Sequence, residues 1–319
     1  MTDLNPLRLA ACSAIAFFAP SVNASYSETP PVGVSVVSIK SGNTPIAPAY
    51  VHPDAASLEI DSLSRTGEVV ELSFSNLEAG DGAYAPDRYP RYYLEVIKEG
   101  AFAGMYFDVD ANTAQTITVR TWDGGSLQPF AAGDTVIVRK HMTLGDFFED
   151  AEETLAAYVD VVKFFEAGNV SHSILWDGNR WTRDFVHDDS EWPIYPGQGF
   201  LCLFGSNVRF VSSGHVKTTP TQIPVYNGSN NFVGTFSPVE TTFADLEVTN
   251  WMDPYTDSFK LLSSDGSLMS RETLIFDGSK LTSDFLSDNG NTTLAPNESF
   301  LLLPVVDTNW IQPAPYVAQ

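Results

Sequence analysis

Three shortages set the first bounds on this sequence: it has little cysteine, few basic residues and no long apolar run. Its two cysteines, Cys12 and Cys202, are too few for the disulfide framework that holds small secreted domains together. Cys202 sits in the apolar run Phe200–Phe204, where a thiol packs as a small hydrophobe. With 17 basic against 40 acidic residues, the formal charge is −23. Such a surface repels phosphate backbones and anionic lipid, so no nucleic-acid partner is expected. No apolar stretch reaches the roughly 20 residues that a spanning helix needs, so no membrane span is expected either. A nucleophile elbow, an HExxH zinc motif, a P-loop and a dinucleotide fingerprint are all missing. The five histidines (His52, His141, His172, His187 and His215) show no metal-ligand spacing. The sequence therefore nominates no catalytic residue and no metal ligand.

What is present begins with an export signal. Met1 to Arg8 is a short polar start, Leu9 to Pro20 is an apolar run of signal length, and Val22-Asn23-Ala24 supplies small residues for cleavage after Ala24. Leu9-Ala10-Ala11-Cys12 also spells a lipobox, but its apolar stretch follows the cysteine instead of preceding it. Residues 1–24 are thus expected to be a signal peptide. The protein is then secreted or held in the cell envelope, in the periplasm or outside the cell.

Beyond the leader the chain is 43% hydrophobic and 18% charged, enough to bury a core. Short apolar or alternating runs are separated by Gly, Pro, Asn and Asp, which is the signature of strands and turns. Val34–Ile39, Glu68–Phe74, Tyr92–Ile97, Met105–Val109, Thr116–Arg120 and Thr135–Arg139 read as strands. The expected fold class is all-β, a sandwich or barrel-like architecture with at most one or two short helices. One helix is predicted after Thr143, where Asp146 completes a capping box and Phe148, Ala151 and Leu155 recur at helical spacing.

The strongest signal is an internal duplication. Residues 174–203 align without a gap to residues 274–303, with ten of thirty positions identical. Upstream, Tyr158-Val-Asp160 matches Tyr255-Thr-Asp257, and Thr143-Leu-Gly-Asp146 echoes Thr242-Phe-Ala-Asp245. Pro45 to Pro53 loosely resembles Phe232 to Pro238. These limits suggest an N-terminal β domain over 25–215, holding an unduplicated region (about 65–140) and copy one (about 143–211). A C-terminal β domain over 216–319 would hold copy two (about 242–311). Whether the copies share one core or form two stays open. Asp177-Gly178 and Asp277-Gly278 follow apolar triplets and predict type I′ hairpins in both copies, a structural role.

Tyr93 to Asn112, with Thr116–Val119, Ala132–Val136 and Thr143–Gly145, resembles an uncharacterised paralogous family of secreted verrucomicrobial proteins. The later strand–hairpin–strand unit resembles that family's C-terminal half, and the acidic segment Asp146–Ala157 departs from its pattern. The resemblance implies export and a β-rich fold, with no activity attached.

Function is sought where the copies differ. Copy one carries Trp176, Trp181, Trp192 and Tyr195 where copy two has Phe276, Leu281, Thr292 and Ala295, and runs Asp188-Asp189-Ser190-Glu191 where copy two has Asp288-Asn289-Gly290-Asn291. Aromatic faces beside carboxylates can stack on sugar rings or anchor a protein partner, so Trp181, Trp192, Tyr195, Asp188, Asp189 and Glu191 are the nominated binding residues. A second reading has these aromatics packed on the unduplicated region. Asp184/Asp284 and Asp188/Asp288, kept in both copies, are expected to hold backbone N–H groups, with calcium as the alternative loop ligand. Asp108-Val-Asp110-Ala-Asn112 looks like the start of a calcium loop but lacks its glycine and closing glutamate, which favours an Asx turn. The functional expectation is an exported, non-enzymatic binding, adhesion or surface-assembly protein, its partner a glycan, another surface protein or itself. A carbohydrate-binding module or polysaccharide-active enzyme is the alternative.

Overall fold

The computed structural model describes residues 31–121, 127–263, 265–267 and 269–315. The expected signal peptide, the cleavage site expected after Ala24 and Cys12 lie outside the described residues. The described residues form one compact unit, and among them the fold is all-β with one short α-helix.

The chain opens with β1 (Val32–Ile39) and β2 (Gly42–Ile46). Seven strands follow: β3 (Asp54–Glu59), β4 (Ser62–Thr66), β5 (Val69–Ser73), β6 (Tyr92–Ile97), β7 (Tyr106–Asn112), β8 (Thr116–Arg120) and β9 (Thr135–Lys140). They make one antiparallel sheet in the order β3-β9-β6-β7-β8-β5-β4. Alternation puts Val70 and Leu72, Leu94 and Val96, Ile117 and Val119, and Val136 and Val138 into one core. Asp108-Val-Asp110-Ala-Asn112 is strand rather than an Asx turn, with a bulge between Val109 and Ala111.

The first repeat then runs through β10 (Met142–Thr143), α1 (Leu144–Phe148), β11 (Val161–Phe165), β12 (Ser171–Trp176), β13 (Trp181–Thr182), β14 (Pro193–Ile194), β15 (Phe200–Phe204) and β16 (Val208–His215). The second comprises β17 (Thr221–Val225), β18 (Asn231–Val233), β19 (Thr241–Thr242), β20 (Ser258–Leu262), β21 (Ser270–Phe276), β22 (Leu281–Thr282), β23 (Thr293–Leu294), β24 (Phe300–Leu303) and β25 (Thr308–Gln312).

Strand order shows how far the duplication extends. Copy one has a five-stranded sheet, β13-β12-β11-β15-β2, and copy two has β22-β21-β20-β24-β18. The two-stranded ribbons β1·β16 and β10·β14 recur as β17·β25 and β19·β23. Register agrees as well: Pro45 lies opposite Leu201 as Phe232 lies opposite Leu301, and Ile39 opposite Val208 as Val225 opposite Thr308. Copy one therefore starts at β1, not near residue 143, and the faint likeness of Pro45–Pro53 to Phe232–Pro238 marks equivalent chain. The seven-stranded sheet is an insertion between β2 and β10, where copy two has only a short connection. Each copy has its own core, Phe147, Phe148, Phe164, Phe200, Trp176 and Trp181 in the first and Phe243, Phe259, Phe300 and Trp310 in the second.

The two copies meet reciprocally. Ala47 N donates to Asn297 O at 3.1 Å, and its counterpart Gly234 N donates to Gly197 O at 3.0 Å. At this seam like positions face like, and there is room for one side chain only. A Cβ on Gly234 would stand 2.2 Å from Ala47 Cβ, and one on Gly199 would stand 2.1 Å from Ser299 Oγ. One copy keeps the side chain and the other must be glycine.

Local structure follows the sequence with two differences. Thr143 Oγ1 accepts from Asp146 N at 3.0 Å and Asp146 Oδ2 accepts from Thr143 N at 3.2 Å, the expected capping box. The α-helix nevertheless ends at Phe148, and Glu149–Thr154 tightens into a 3₁₀ helix. Four carboxylates with no basic residue oppose the negative end of a helix dipole there. At the hairpins only Gly178 and Gly278 take positive φ, +100° and +92°, while Asp177 and Asp277 do not. With the glycine at the first central position the turn is type II′-like rather than I′. Each aspartate sits one residue earlier and accepts the N–H groups two and three residues on, all at 2.9 Å.

Candidate functional site

The insertion, copy one and copy two converge on an open cleft of about 350 Å³, within the range of sites for small molecules. β7 brings Tyr106 and Asp108 to it. The end of β11 brings Phe165 and Glu166, the loop before β15 brings Tyr195, and copy two contributes Tyr226, Asn230 and Phe232. Phe165 and Phe232 stack across the two copies, with centroids 5.1 Å apart. Tyr106, Pro224 and Tyr226 also border a second cavity of about 320 Å³, which adds Gln222, Asp307 and Asn309.

Asp108 organises the floor. One oxygen is 2.9 Å from Nε2 of the fully buried His141, and the other accepts the Tyr195 hydroxyl at 3.3 Å. Tyr195 lies edge-on to His141 at 5.1 Å and stacks near Tyr106 at 6.3 Å. Burial, then Asp108, pushes the Tyr195 hydroxyl well above its ordinary range. Burial and Asp108 do the same for Tyr106, and burial with Asp307 raises Tyr226. At neutral pH all three phenols keep their protons. The cleft thus offers hydroxyl donors, carboxylate and amide acceptors and aromatic faces, the complement of a polyhydroxylated molecule. Among the described residues no group of three or more His, Cys, Asp or Glu is arranged to hold a metal ion.

Of the six nominated binding residues, only Tyr195 lines this cleft. Trp181 is buried in the core of copy one, 5.1 Å from Phe148 and 5.5 Å from Trp176, with no face for a ligand. Trp192 packs on Tyr89 of the insertion at 5.3 Å, on His172 and on Phe164, and Arg183 covers it at 4.5 Å. Asp189 is buried and bonded to Tyr89, Arg183 and Arg88. Burial opposes its ionisation, but the Tyr89 and Arg183 hydrogen bonds outweigh it and hold the carboxyl below its usual range. An exposed Trp181/Trp192 platform is therefore ruled out, because the insertion and the core of copy one cover both rings. Asp188 and Glu191 are exposed on the same loop, away from the cleft lining.

The retained loop aspartates hold backbone. Asp184 Oδ1 accepts from Val186 N and His187 N at 2.9 and 2.8 Å, and Asp284 Oδ1 from Leu286 N and Ser287 N at 2.8 and 2.7 Å. Asp188 and Asp288 accept from Ser190 N and Gly290 N, both at 2.9 Å. The backbone N–H groups of Ser287 and Leu286 lower Asp284 to about 2. The calcium-like run of β7 is divided among separate partners: Asp108 with His141, Asp110 with Arg120, and Asn112 with Tyr84 N.

Sequence reading missed Tyr106, Phe165, Glu166, Tyr226, Asn230 and Phe232. They come from three segments that no motif links, and their meeting depends on the insertion. No protein-family model matches the chain, and neither the curated proteins nor the solved structures provide a match.

Proposed function

We propose that this is an exported, non-enzymatic binding protein that holds a saccharide in the cleft where the insertion and the two copies meet. One observation carries the reading: the protonated Tyr106 and Tyr226 and the acceptors Glu166 and Asn230 line an open cleft, beside the Tyr195 ring that Asp108 holds in place. Sugar hydroxyls match alternating donors and acceptors, and sugar C–H faces match aromatic rings. The negative charge of the chain supports a neutral or amino-bearing glycan over an acidic one. Secretion or residence in the cell envelope fits a role in adhesion or surface assembly.

A glycan array probed with the full chain, followed by calorimetry on the hits, tests this. Tyr226→Ala, Glu166→Gln and Asn230→Ala should each weaken binding about tenfold, the loss of one hydrogen bond or ring contact. Binding to no glycan, or binding that all three changes leave intact, sinks the reading. Release of new reducing ends in the same experiment would move the protein to the enzymatic alternative.

A further inference from the structure

Both copies present an aromatic knob that neither folding nor packing explains. Phe185 and Phe285, at equivalent places in the loop after β13 and β22, have φ of +61° and +62°. Tyr158 and Tyr255, before β11 and β20, have φ of +62° and +65°. The left-handed region is adopted easily by glycine or asparagine and poorly by aromatic residues. These side chains gain little burial in return: with Val186 and Leu286 they are 57% to 83% exposed. In copy one the Tyr158 and Phe185 rings stack at 6.3 Å.

The same hydrogen bonds hold both knobs. Tyr158 N donates to Trp176 O at 2.8 Å and Tyr255 N to Phe276 O at 2.7 Å, while Asp184 and Asp284 fix the loops as described. Apart from the backbone-holding aspartates, exposed polar positions of these loops have diverged, with Arg183, His187 and Glu191 in copy one and Ser283, Ser287 and Asn291 in copy two. Tyr158/Tyr255, Phe185/Phe285 and Val186/Leu286 have stayed aromatic or aliphatic, while the neighbouring Val159 is Thr256 in copy two. Strain kept at exposed residues in two diverged copies points to a contact made outside the molecule.

We infer that the two knobs are equivalent docking platforms for a neutral polysaccharide, one molecule holding two segments of polymer. Two like sites on one chain suit a partner that repeats, and pyranose rings offer a repeating C–H face for aromatic stacking. The 40 acidic residues argue against a polyanion, an anionic membrane or a second copy of this equally acidic chain. In copy one the knob precedes the first residue of β11, whereas Glu166 of the cleft follows the last. The inference is therefore independent of what the cleft binds.

The test is co-sedimentation of the full chain with insoluble cellulose, chitin and β-1,3-glucan. Asparagine accepts the left-handed conformation, so Tyr158→Asn/Phe185→Asn and Tyr255→Asn/Phe285→Asn remove the rings without new strain. Retention by at least one polymer is expected. Each pair of changes should weaken it roughly a hundredfold through loss of avidity, all four should abolish it, and Tm should hold or rise. Absence of retention in the unaltered chain, or full retention with all four changes, would overturn the proposal. A fall in Tm would make the rings structural and overturn it as well. So would ring-dependent binding to phosphatidylcholine vesicles, or ring-dependent dimerisation in size exclusion, without polymer retention.

Discussion

Copy one and copy two share strand order and register yet solve different burial problems. Copy two folds on itself, with Phe243, Phe259, Phe300 and Trp310 as its aromatic core. Copy one must also seat an inserted sheet, and its extra aromatics answer that need. Trp192 meets Tyr89 and Tyr195 meets Tyr106, whereas copy two has Thr292 and Ala295. The difference between copies thus records a neighbour before it records a ligand. The cleft arises because that neighbour leaves a gap against copy two.

Exchanging residues between copies breaks this comparison most sharply. Trp192→Thr, the residue of copy two, empties the space between Tyr89 and Phe164 and should cost about 3 kcal/mol in urea unfolding. A loss below 1 kcal/mol would mean that the insertion is not seated on this ring. Gly234→Ala sets two Cβ atoms in the space of one and should cost about 1–3 kcal/mol. Adding Ala47→Gly should restore most of that loss. Failure of the double variant to recover would show that the seam is not reciprocal.

The two capping carboxylates sharpen the comparison through pH. Asp146 of copy one is partly buried, which disfavours its charge, but hydrogen bonds from His52 and Lys140 outweigh this and hold its pKa well below the usual range. A depressed carboxylate stabilises the fold above its unfolded pKa of about 4, and the contribution disappears as pH falls through the folded value. Unfolding followed from pH 5 to pH 2 should therefore lose about 1 kcal/mol less in Asp146→Asn than in the unaltered chain, a figure reduced for solvent screening. Asp245 of copy two is lowered by Thr242 alone and lies exposed, so Asp245→Asn should change the pH profile less. The smallest effect belongs to the knobs, where Phe285→Asn relieves left-handed strain and should raise stability by a few tenths of a kcal/mol, up to about 1.

Strands with strict alternation were legible in the sequence. Thr116–Arg120 has the expected limits because a period of two and flanking turn residues report burial on one face; Tyr92–Ile97 has them as well, although it is buried on both faces. The duplication was legible where Asp, Gly and Phe recur in one continuous block. It faded at β1 and β2, which are separated from their partners by the whole insertion, so that only Pro45–Pro53 left a trace. Trp181 was misjudged because composition cannot tell a ring at an exposed loop from one turned into the core beneath α1. The cleft was illegible because its residues share no segment and no spacing. Tyr195 alone was nominated, through its contrast with Ala295.

The insertion has one more consequence, for the order in which the molecule can be assembled. Copy two is continuous, and Val225 finds Thr308 within one stretch of chain. In copy one Ile39 must find Val208 across roughly twice that separation, a modest entropic cost at equilibrium but a larger kinetic one. During synthesis from N- to C-terminus, β1 and β2 emerge first and wait with unpaired edges while the seven-stranded sheet forms. That sheet, complete within residues 54–140, then acts as an internal scaffold that brings β2 near the arriving β15. The half of the molecule that begins first is finished only after its guest has folded.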